Sequence, residues 1–217
     1  MLIWHLLSRR RVHLAEAVRP KIPTTKKSAA KAKQTSSTTR SAGEVYVGYS
    51  GMAAPTTTGG GFSDNRKIHN GVQTSVTINA GRYIGLKGDF SVAYRDQKEA
   101  FTSGGPITTV TRRTTIYNVL GGVQLKDNES EAVVQPFGHA LVGLGVYRQS
   151  LRDCRNPIGS FCGTTVRDYG VAGAFGGGFD VKVADRAGVR FGGDYNPMRI
   201  EKQTINNFRF GVGLVFK

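Results

Sequence analysis

The sequence predicts an all-β protein, an eight-stranded antiparallel up-and-down barrel whose strands span a membrane. Three observations predict it: large apolar residues recur at every second position, small or polar residues lie between them, and short and long connections alternate along the chain. Of the 217 residues, 29 are Gly and only 7 are Pro, which suits closely packed strands. No stretch approaches the roughly 18 apolar residues that a membrane-spanning helix needs.

The first 43 residues differ in composition from the rest of the chain. They hold ten Lys or Arg and one acidic residue, a net charge of +9, whereas residues 44–217 hold 20 basic and 14 acidic residues, a net charge of +6. Because the first part has almost no large apolar residue after Val18, we expect residues 1–43 to be a disordered basic tail or a targeting or processing segment. Residues 44–217 then form the barrel domain. No export signal is evident, since Arg9–Arg11 follow the apolar start instead of preceding it.

Eight segments alternate between large apolar residues and small or polar ones, as strands with two different faces do. They are Val45–Met52, Gly71–Ala80, Tyr83–Arg95, Thr115–Lys126, Val134–Gln149, Tyr169–Lys182, Gly188–Met198 and Thr204–Lys217. The short connections between them are Ala80–Tyr83, Asp127–Ala132 and Val183–Ala187. The longer ones are Ala53–Asn70, Asp96–Thr114, Ser150–Val166 and Arg199–Gln203. This alternation is typical of a barrel with one plain rim and one elaborated rim.

The composition of the two faces predicts which of them meets lipid. One face is apolar, with aromatic residues near the strand ends, and the other holds Gly, Ala, Ser, Asn and Gln with scattered charges of both signs. Small residues suit the crowded interior of an eight-stranded barrel, whereas the wet face of a soluble barrel is rich in Lys and Glu. We therefore expect Val76, Phe90, Val119 and Phe210 to face outward, and Asp89 and Arg190 to face the lumen.

Charged and imidazole side chains of the small-residue face are predicted to fill the lumen by pairing with one another, because unpaired buried charges are costly. These residues are Lys87, Asp89, Arg95, His139, Asp180, Arg190, Asp194 and Arg209. A lumen plugged in this way would be at most a narrow pore. No spacing of Ser, His, Cys or acidic residues marks a nucleophile or a metal site, so the sequence predicts neither an enzyme nor a cofactor.

The longer connections carry two further candidates. Cys154 and Cys162 flank a short stretch of one connection, where a disulfide is plausible in an oxidising compartment and two free thiols are the alternative. A set of arginines in the predicted loops would give a basic outer surface suited to anionic lipopolysaccharide or polysaccharide: Arg112, Arg113, Arg148, Arg152 and Arg155.

The last strand carries the strongest local motif, Arg209-Phe-Gly211-Val-Gly-Leu214-Val-Phe216. With the segments 136–145 and 176–181, it makes the chain from Glu44 to Lys217 resemble the eight-stranded outer-membrane β-barrels of the OmpA/OmpX-like superfamily. The resemblance implies a monomer in the cell outer membrane, in contact with lipid or lipopolysaccharide. It also implies an assembly signal for the barrel assembly machinery at Arg209, Gly211, Leu214 and Phe216. Lys217 departs from the pattern, in which the aromatic residue is usually last.

The predicted function is that of an outer-membrane barrel with a structural or surface-loop binding role. Two other interpretations remain open. In a soluble small-ligand-binding barrel of the lipocalin type, the apolar face would point inward. Alternatively, the basic tail could bind nucleic acid, although no aromatic residue lies between its lysines to stack on bases, so we expect no specific nucleic-acid partner.

Overall fold

The computed structural model describes residues 41–58, 61–101, 108–155, 165–200 and 203–217. Eight strands are present in this part of the chain: β1 (Gly43–Thr58), β2 (Gly61–Asn79), β3 (Ile84–Phe101), β4 (Thr108–Lys126), β5 (Val134–Arg155), β6 (Thr165–Ala184), β7 (Ala187–Ile200) and β8 (Gln203–Phe216). Each strand pairs antiparallel with its neighbours in sequence, and β1 also pairs with β8, so the sheet closes into a barrel. The predicted all-antiparallel, eight-stranded barrel is confirmed.

Two ends of the barrel can be told apart by their connections. The turn end carries residues 80–83, 127–133 and 185–186 together with the start of β1 and the end of β8. The loop end carries the connections between β1 and β2, β3 and β4, β5 and β6, and β7 and β8. At the turn end, Arg82 donates through Nε and Nη2 to the two carboxylate oxygens of Asp127, both at 3.2 Å. This bond lowers the pKa of the Asp127 carboxyl below its usual value.

The strands are longer at the loop end than the sequence pattern predicts. β2 begins at Gly61 where the pattern begins at Gly71, β4 begins at Thr108 where it begins at Thr115, and β5 ends at Arg155 rather than Gln149. Most of the predicted long loops are therefore strand. The pattern fails here because both faces of a strand meet water beyond the apolar band, so apolar residues cease to alternate while backbone pairing continues.

The apolar residues face outward and the charged residues face inward. Val76, Phe90, Val119 and Phe210 are 51%, 42%, 59% and 44% exposed, respectively, whereas Asp89 and Arg190 are each only 3% exposed. If the barrel were surrounded by water, its large apolar side chains would be exposed and its charged side chains would form the core. This distribution is the reverse of that in a soluble protein. The predicted orientation is confirmed, and the lipocalin-type alternative, which requires an apolar interior facing a ligand, is not supported.

Aromatic side chains border the outward apolar band. Toward the loop end, Tyr49 Oη donates to Asn70 Oδ1 and Tyr195 Oη donates to Asn206 Oδ1, both at 2.7 Å. Such rings with a polar tip are typical of the boundary between hydrocarbon and water. Tyr147, another aromatic residue of a predicted strand, does not join them, because it faces the lumen and is buried. Within the described residues, no helix has the length and apolar character to cross a bilayer.

Glycines allow the first and last strands to approach closely where the barrel closes. Gly48 on β1 lies opposite Gly213 on β8. A Cβ atom at position 48 would lie 2.5 Å from the carbonyl oxygen of Val212 and 2.7 Å from Cα of Gly213. Because both of these neighbours are backbone atoms that cannot rotate away, the close approach requires a residue without a side chain.

Candidate functional site

Four charged residues form a closed ionic cluster inside the barrel at its turn end, here called the turn-end cluster: Glu44, Lys126, Asp180 and Arg190. Arg190 donates through Nε to Asp180 Oδ1 at 2.7 Å and through Nη2 to Asp180 Oδ2 at 2.9 Å. Lys126 Nζ donates to Glu44 Oε2 at 2.7 Å and also contacts Asp180 Oδ2. Two cations and two carboxylates balance, so the cluster has no formal net charge and its buried groups are paired.

Aromatic rings and an amide surround the turn-end cluster. The Arg190 guanidinium lies over the ring of Phe137, with Cζ 4.4 Å from the ring centroid, and 5.6 Å from the ring centroid of Tyr46. Gln124 Nε2 donates to Glu44 Oε1 at 2.6 Å. The rings therefore cover the faces of the guanidinium while carboxylates accept hydrogen bonds from its edge, an arrangement that fixes its position in the lumen.

A second group of charged residues, the central cluster, lies further along the lumen: Lys87, Asp89, His139, Asp194 and Arg209. Arg209 donates through Nη1 to Asp89 Oδ1 and through Nη2 to Asp194 Oδ2, both at 2.7 Å, and its side chain is fully buried. Gln73 Nε2 donates to the other oxygen of Asp89 at 2.5 Å. Arg209 thus links β8 to β3 across the lumen and to β7 beside it.

Within the central cluster, Lys87 lies next to the imidazole of His139, which in turn lies next to Asp194. Lys87 Nζ lies 3.3 Å from His139 Nδ1, and His139 Nε2 lies 2.8 Å from Asp194 Oδ1. Nδ1 can accept from the Lys87 ammonium group only where it carries no proton. With the imidazole counted as uncharged, the two cations and two carboxylates of the central cluster also balance.

Above the two clusters, toward the loop end, the interior is apolar. The sequence pattern does not predict this layer, which consists of Met52, Ala54, Ala93, Ile116, Leu120, Leu141, Tyr147, Ala172, Ala174, Met198, Ile200 and Ile205. Asn118 and Asn196 lie beside it, with Asn118 Nδ2 donating to Asn196 Oδ1 at 3.3 Å. Asn196 Nδ2 in turn donates to the carbonyl of Gly173 at 2.5 Å, where the pairing of β6 with β7 is interrupted next to Pro197, which has no N–H to offer.

The described lumen is filled rather than open. A small cavity of about 20 Å³ lies between Gln73, Lys87, Phe137 and Asp194, which is room for about one water molecule. On the loop-end side of this cavity lie the buried side chains of the apolar layer, with Asn118 and Asn196 beside them. The arrangement therefore favours structural roles for the buried charges over transport along the barrel axis.

The loop end is the most positively charged part of the barrel, although two of its arginines are neutralised. Arg113 donates through Nε and Nη2 to the two oxygens of Asp96, both at 2.6 Å, and Arg112 Nη2 donates to Glu99 at 2.9 Å. The pKa of the Asp96 carboxyl is lowered, chiefly by its hydrogen bond from Arg113. Both arginines lie on β4 rather than in a loop, and their part in a basic outer surface stays a prediction.

No known protein-family profile matches this chain, and no curated protein matches its sequence. Solved structures do match it. Ail, the attachment invasion locus protein of Yersinia pestis, in complex with the heparin analogue sucrose octasulfate, matches with a TM-score of 0.51 at 17% identity, covering 80% of this chain and 97% of that chain. A second crystal structure of Ail matches with a TM-score of 0.50 at 15% identity, over the same shares of the two chains. Neisserial surface protein A matches with a TM-score of 0.47 at 12% identity, covering 82% and 97%.

The chain has the fold of the eight-stranded outer-membrane β-barrels. Identity this low relates the chain to these proteins by fold alone. Within this barrel fold, the two predicted sets of connections lie at opposite ends, although the strands extend into the set predicted to be long.

The structure brings together seven of the eight residues expected in the lumen. Lys87, Asp89, His139, Asp180, Arg190, Asp194 and Arg209 all lie in the two clusters. Arg95 does not. It lies nearer the loop end, is partly exposed, and donates through Nη1 to the carbonyl of Ile68 at 3.0 Å. The reason is its position beyond Ala93, where the interior has already become apolar and offers no carboxylate.

The sequence pattern did not identify two members of the turn-end cluster, Glu44 and Lys126. Glu44 directly precedes the first predicted strand, and Lys126 is the last residue of the fourth. Both lie at strand ends, where a charged residue is usually solvated. The alternation of faces along each strand could have identified both residues. Glu44 shares the inward face with Tyr46 and Gly48, and Lys126 shares it with Gln124.

The residues expected to form the assembly signal divide between the two faces of the barrel. Leu214 and Phe216 are exposed on the outward face, whereas Arg209 is buried in the central cluster. Gly211 faces the lumen, where a Cβ atom would lie 3.1 Å from both Gln73 Oε1 and Tyr46 Oη. Lys217 continues past Phe216, and its Nζ contacts Gln135 Oε1 at the turn end.

The remaining loop-end predictions have mixed outcomes. Arg148 and Arg152 lie on β5 rather than in a loop. The side chain of Arg155 and the predicted disulfide between Cys154 and Cys162 fall outside the described residues, as do residues 1–40 of the predicted tail. Within the described residues, no group of three His, Cys, Asp or Glu side chains is arranged to hold a metal ion.

Proposed function

We propose that this protein is a monomeric, non-enzymatic outer-membrane barrel that presents a positively charged loop end to anionic polysaccharide outside the cell. The observation that carries the proposal is the distribution of charge along the barrel axis. Among the described side chains, charges balance in the interior and at the turn end, so the excess of positive charge in this part of the chain lies at the loop end.

The distribution follows from the described side chains. At the loop end, ten are basic, namely Arg66, Lys67, Arg95, Lys98, Arg112, Arg113, Arg148, Arg152, Arg167 and Arg199, and four are acidic, namely Asp96, Glu99, Asp153 and Asp168. The turn end has four of each sign: Arg82, Lys182, Arg186 and Lys217 against Asp127, Glu129, Glu131 and Asp185. The interior also has four of each sign in its two clusters. A surface of one sign attracts polyanions and concentrates them near the barrel mouth.

The comparison with Ail supports sulfated polysaccharide as the class of ligand. Ail has been solved in complex with a heparin analogue, and it shares the barrel fold with this chain. Guanidinium groups bind sulfate and phosphate with paired hydrogen bonds, and Arg exceeds Lys at this loop end. We therefore choose heparin, a densely sulfated chain, as the probe.

The cell outer membrane is the location that fits this function, with the loop end outside and the turn end in the periplasm. The exposed apolar band requires lipid around the barrel, and a plain rim of short turns is typical of the periplasmic side. In this orientation Leu214 and Phe216 would be available to the barrel assembly machinery before lipid surrounds them. The paired and enclosed interior charges favour a structural role over catalysis.

The test of location uses the full chain. Cells are fractionated, and the protein is run on a gel with and without boiling. We expect it in the outer-membrane fraction with a migration that changes on heating, because a closed barrel resists detergent until heated. A cytosolic protein with ordinary migration would contradict the proposal.

The test of ligand binding titrates heparin against the protein in uncharged detergent micelles. K98Q/R199Q removes two exposed loop-end charges, and K182Q/R186Q removes two at the turn end as a matched control. We expect at least about threefold weaker binding for the first variant, little change for the second, and weakening of all binding by salt, since exposed charges are screened. Equal effects of the two variants, or no heparin binding by the unmodified protein, would refute the proposed ligand.

A further inference from the structure

Two arginines lie side by side on the outer face of the barrel, one on β5 and one on β6. Arg148 and Arg167 are directly opposite each other in the register of these strands. Residues so placed on one face have Cβ atoms about 4.5–5.5 Å apart, and like charges in this position destabilise a sheet. The next pair toward the turn end is Val146 and the exposed Tyr169, which places both arginines on the lipid-facing side.

Neither arginine is neutralised by a carboxylate among the described residues. Arg112 and Arg113 on the neighbouring strand each have an acidic partner, whereas Arg148 and Arg167 take part in none of the ion pairs formed within this part of the chain. The Nε atom of Arg148 is covered from solvent and has no hydrogen-bond partner there. Asp168, next to Arg167 in sequence, is opposite the inward-facing Tyr147 and so belongs to the other face.

The height of the pair along the barrel axis indicates the environment of its ligand. On the side toward the turn end, β5 presents the exposed apolar residues Val142 and Leu144. On the loop-end side, the positions opposite each other are Ser150 and Thr165, and Thr115 is opposite Arg148 on β4. The two arginines thus lie at the edge of the apolar band, next to positions with hydroxyl side chains. Lipid headgroups occupy this level of a bilayer.

The charge of the pair selects among lipid headgroups. A phosphodiester carries one negative charge, which in zwitterionic lipids is balanced by an attached ammonium group. A phosphate monoester carries about 1.5 to 2 negative charges at neutral pH and presents three acceptor oxygens. Two adjacent guanidinium groups match the monoester in charge, and each can donate two parallel hydrogen bonds to it.

We propose that Arg148 and Arg167 together bind the phosphate monoester of a glycolipid headgroup in the leaflet around the loop end. This site rests on the proposed function, because it needs the loop end to lie in a leaflet that contains phosphorylated glycolipid. It is separate from polysaccharide binding at the mouth, since it lies on the lipid-facing side and at the edge of the apolar band. Bound phosphate offsets the repulsion between the two arginines.

The experiment measures lipid retention by native mass spectrometry of the full chain in uncharged detergent. The probe is diphosphoryl lipid A, compared with the same lipid after dephosphorylation and with inorganic phosphate alone. R148Q/R167Q removes the pair and keeps polar side chains, and K98Q/R199Q removes two other loop-end charges as a matched control. Heat-modifiable migration verifies that each variant is folded, and R148K/R167K serves as a second variant that keeps the charge but loses the bidentate geometry.

We expect R148Q/R167Q to bind diphosphoryl lipid A at least about tenfold more weakly than the unmodified protein, with R148K/R167K between the two and K98Q/R199Q within about twofold of the unmodified protein. Dephosphorylated lipid A should bind poorly to all of them. Unchanged lipid binding by R148Q/R167Q, an equal loss in both glutamine variants, or equal binding of the dephosphorylated lipid would overturn the site. Inorganic phosphate that binds as tightly as the lipid would overturn the assignment to a headgroup.

The heparin titration distinguishes this proposal from the function on which it rests. Loss of lipid binding by R148Q/R167Q with heparin binding retained supports a separate site. Lipid binding that depends on the arginine pair in a protein that does not bind heparin refutes only the polysaccharide ligand. Heparin binding with no dependence of lipid retention on Arg148 and Arg167 refutes only the lipid site.

Discussion

Arg190 reaches across the lumen to Glu44, where its Nη2 atom donates to Oε1 at 2.5 Å, although 146 residues separate the two in the chain. Glu44 lies at the start of β1, and Arg190 lies near the start of β7. Because β8 lies between these strands in the closed sheet, the contact spans the seam at which the barrel closes. The contact therefore joins β1, which is synthesised first, to β7, which is synthesised near the end.

Replacing Glu44 by Gln should destabilise the barrel by about 3 kcal/mol, because Lys126 and Arg190 would then share Asp180 as their only carboxylate. The measurement is the free energy of unfolding from urea titrations in detergent micelles or lipid vesicles. Glu131→Gln, at the exposed connection between β4 and β5, is the control and should change this free energy by less than about 0.5 kcal/mol.

A double-mutant cycle tests whether Glu44 acts through its buried partner. Lys126→Met removes a cation that Glu44 holds, so its combination with Glu44→Gln should cost less than the sum of the two single changes. Additive costs would mean that the two side chains stabilise the barrel independently, contrary to the pairing described here.

The close approach of β1 and β8 predicts a large effect from a single methyl group. Gly48→Ala should lower the free energy of unfolding by about 1–3 kcal/mol, since the new Cβ would meet the backbone of Val212 and Gly213. Gly88→Ala is the matched control on β3, where a Cβ atom has no neighbour within 4 Å in the described structure, and its effect should be small. A loss of stability as large in the control would show that alanine is disfavoured in these strands for another reason.

How far the sequence predicts this molecule depends on the contrast between its two faces. Within the apolar band each strand alternates clearly, so Val76 and Phe90 could be placed outside and Asp89 inside. Beyond the band the contrast between the two faces disappears. Arg112 and Arg113, for example, are consecutive residues of a strand whose sequence there is typical of a loop. The strands could therefore be counted from the sequence, whereas their lengths at the loop end could not be predicted.

The interior was predictable as a set of charges but not as an arrangement of layers. Opposite signs on the small-residue face indicate pairing, yet the partners lie on strands whose register the sequence does not specify, as in the bond from Arg209 to Asp89. The apolar layer was missed because inward Ile116 and Leu120 stand next to outward Tyr117 and Val119. Adjacent apolar residues of this kind remove the alternation on which the assignment of faces depends.

The filled lumen predicts that the barrel does not conduct ions as a porin does. In planar bilayers we expect no stable open channel from the unmodified protein, because the apolar layer and the two ionic clusters fill the described lumen. Leu141→Ala should lower the free energy of unfolding by about 2–5 kcal/mol, since it leaves a void in this layer, and should still give no channel. Steady single-channel currents from the unmodified protein would contradict the closed interior.

Asp96 restrains Arg113, so its removal should increase the positive charge available to polyanions. Asp96→Asn breaks the bidentate ion pair, and we expect heparin to bind more tightly to this variant at pH 7 than to the unmodified protein. Asp96→Glu keeps the charge and is the control. Unchanged affinity of the asparagine variant would mean that Arg113 lies outside the heparin contact.

The same substitution has a predictable dependence on pH. The hydrogen bond from Arg113 lowers the pKa of Asp96 below its ordinary 3.8, so the folded state prefers the charged carboxylate. This contribution to stability is present above pH 3.8 and is lost as the pH falls through the lower, folded-state pKa. Because both side chains are partly exposed, it amounts to less than about 1 kcal/mol. Urea titrations should therefore show the unmodified protein slightly more stable than Asp96→Asn at pH 7, with the difference vanishing in acid; a difference that grew on acidification would reverse the assigned sign.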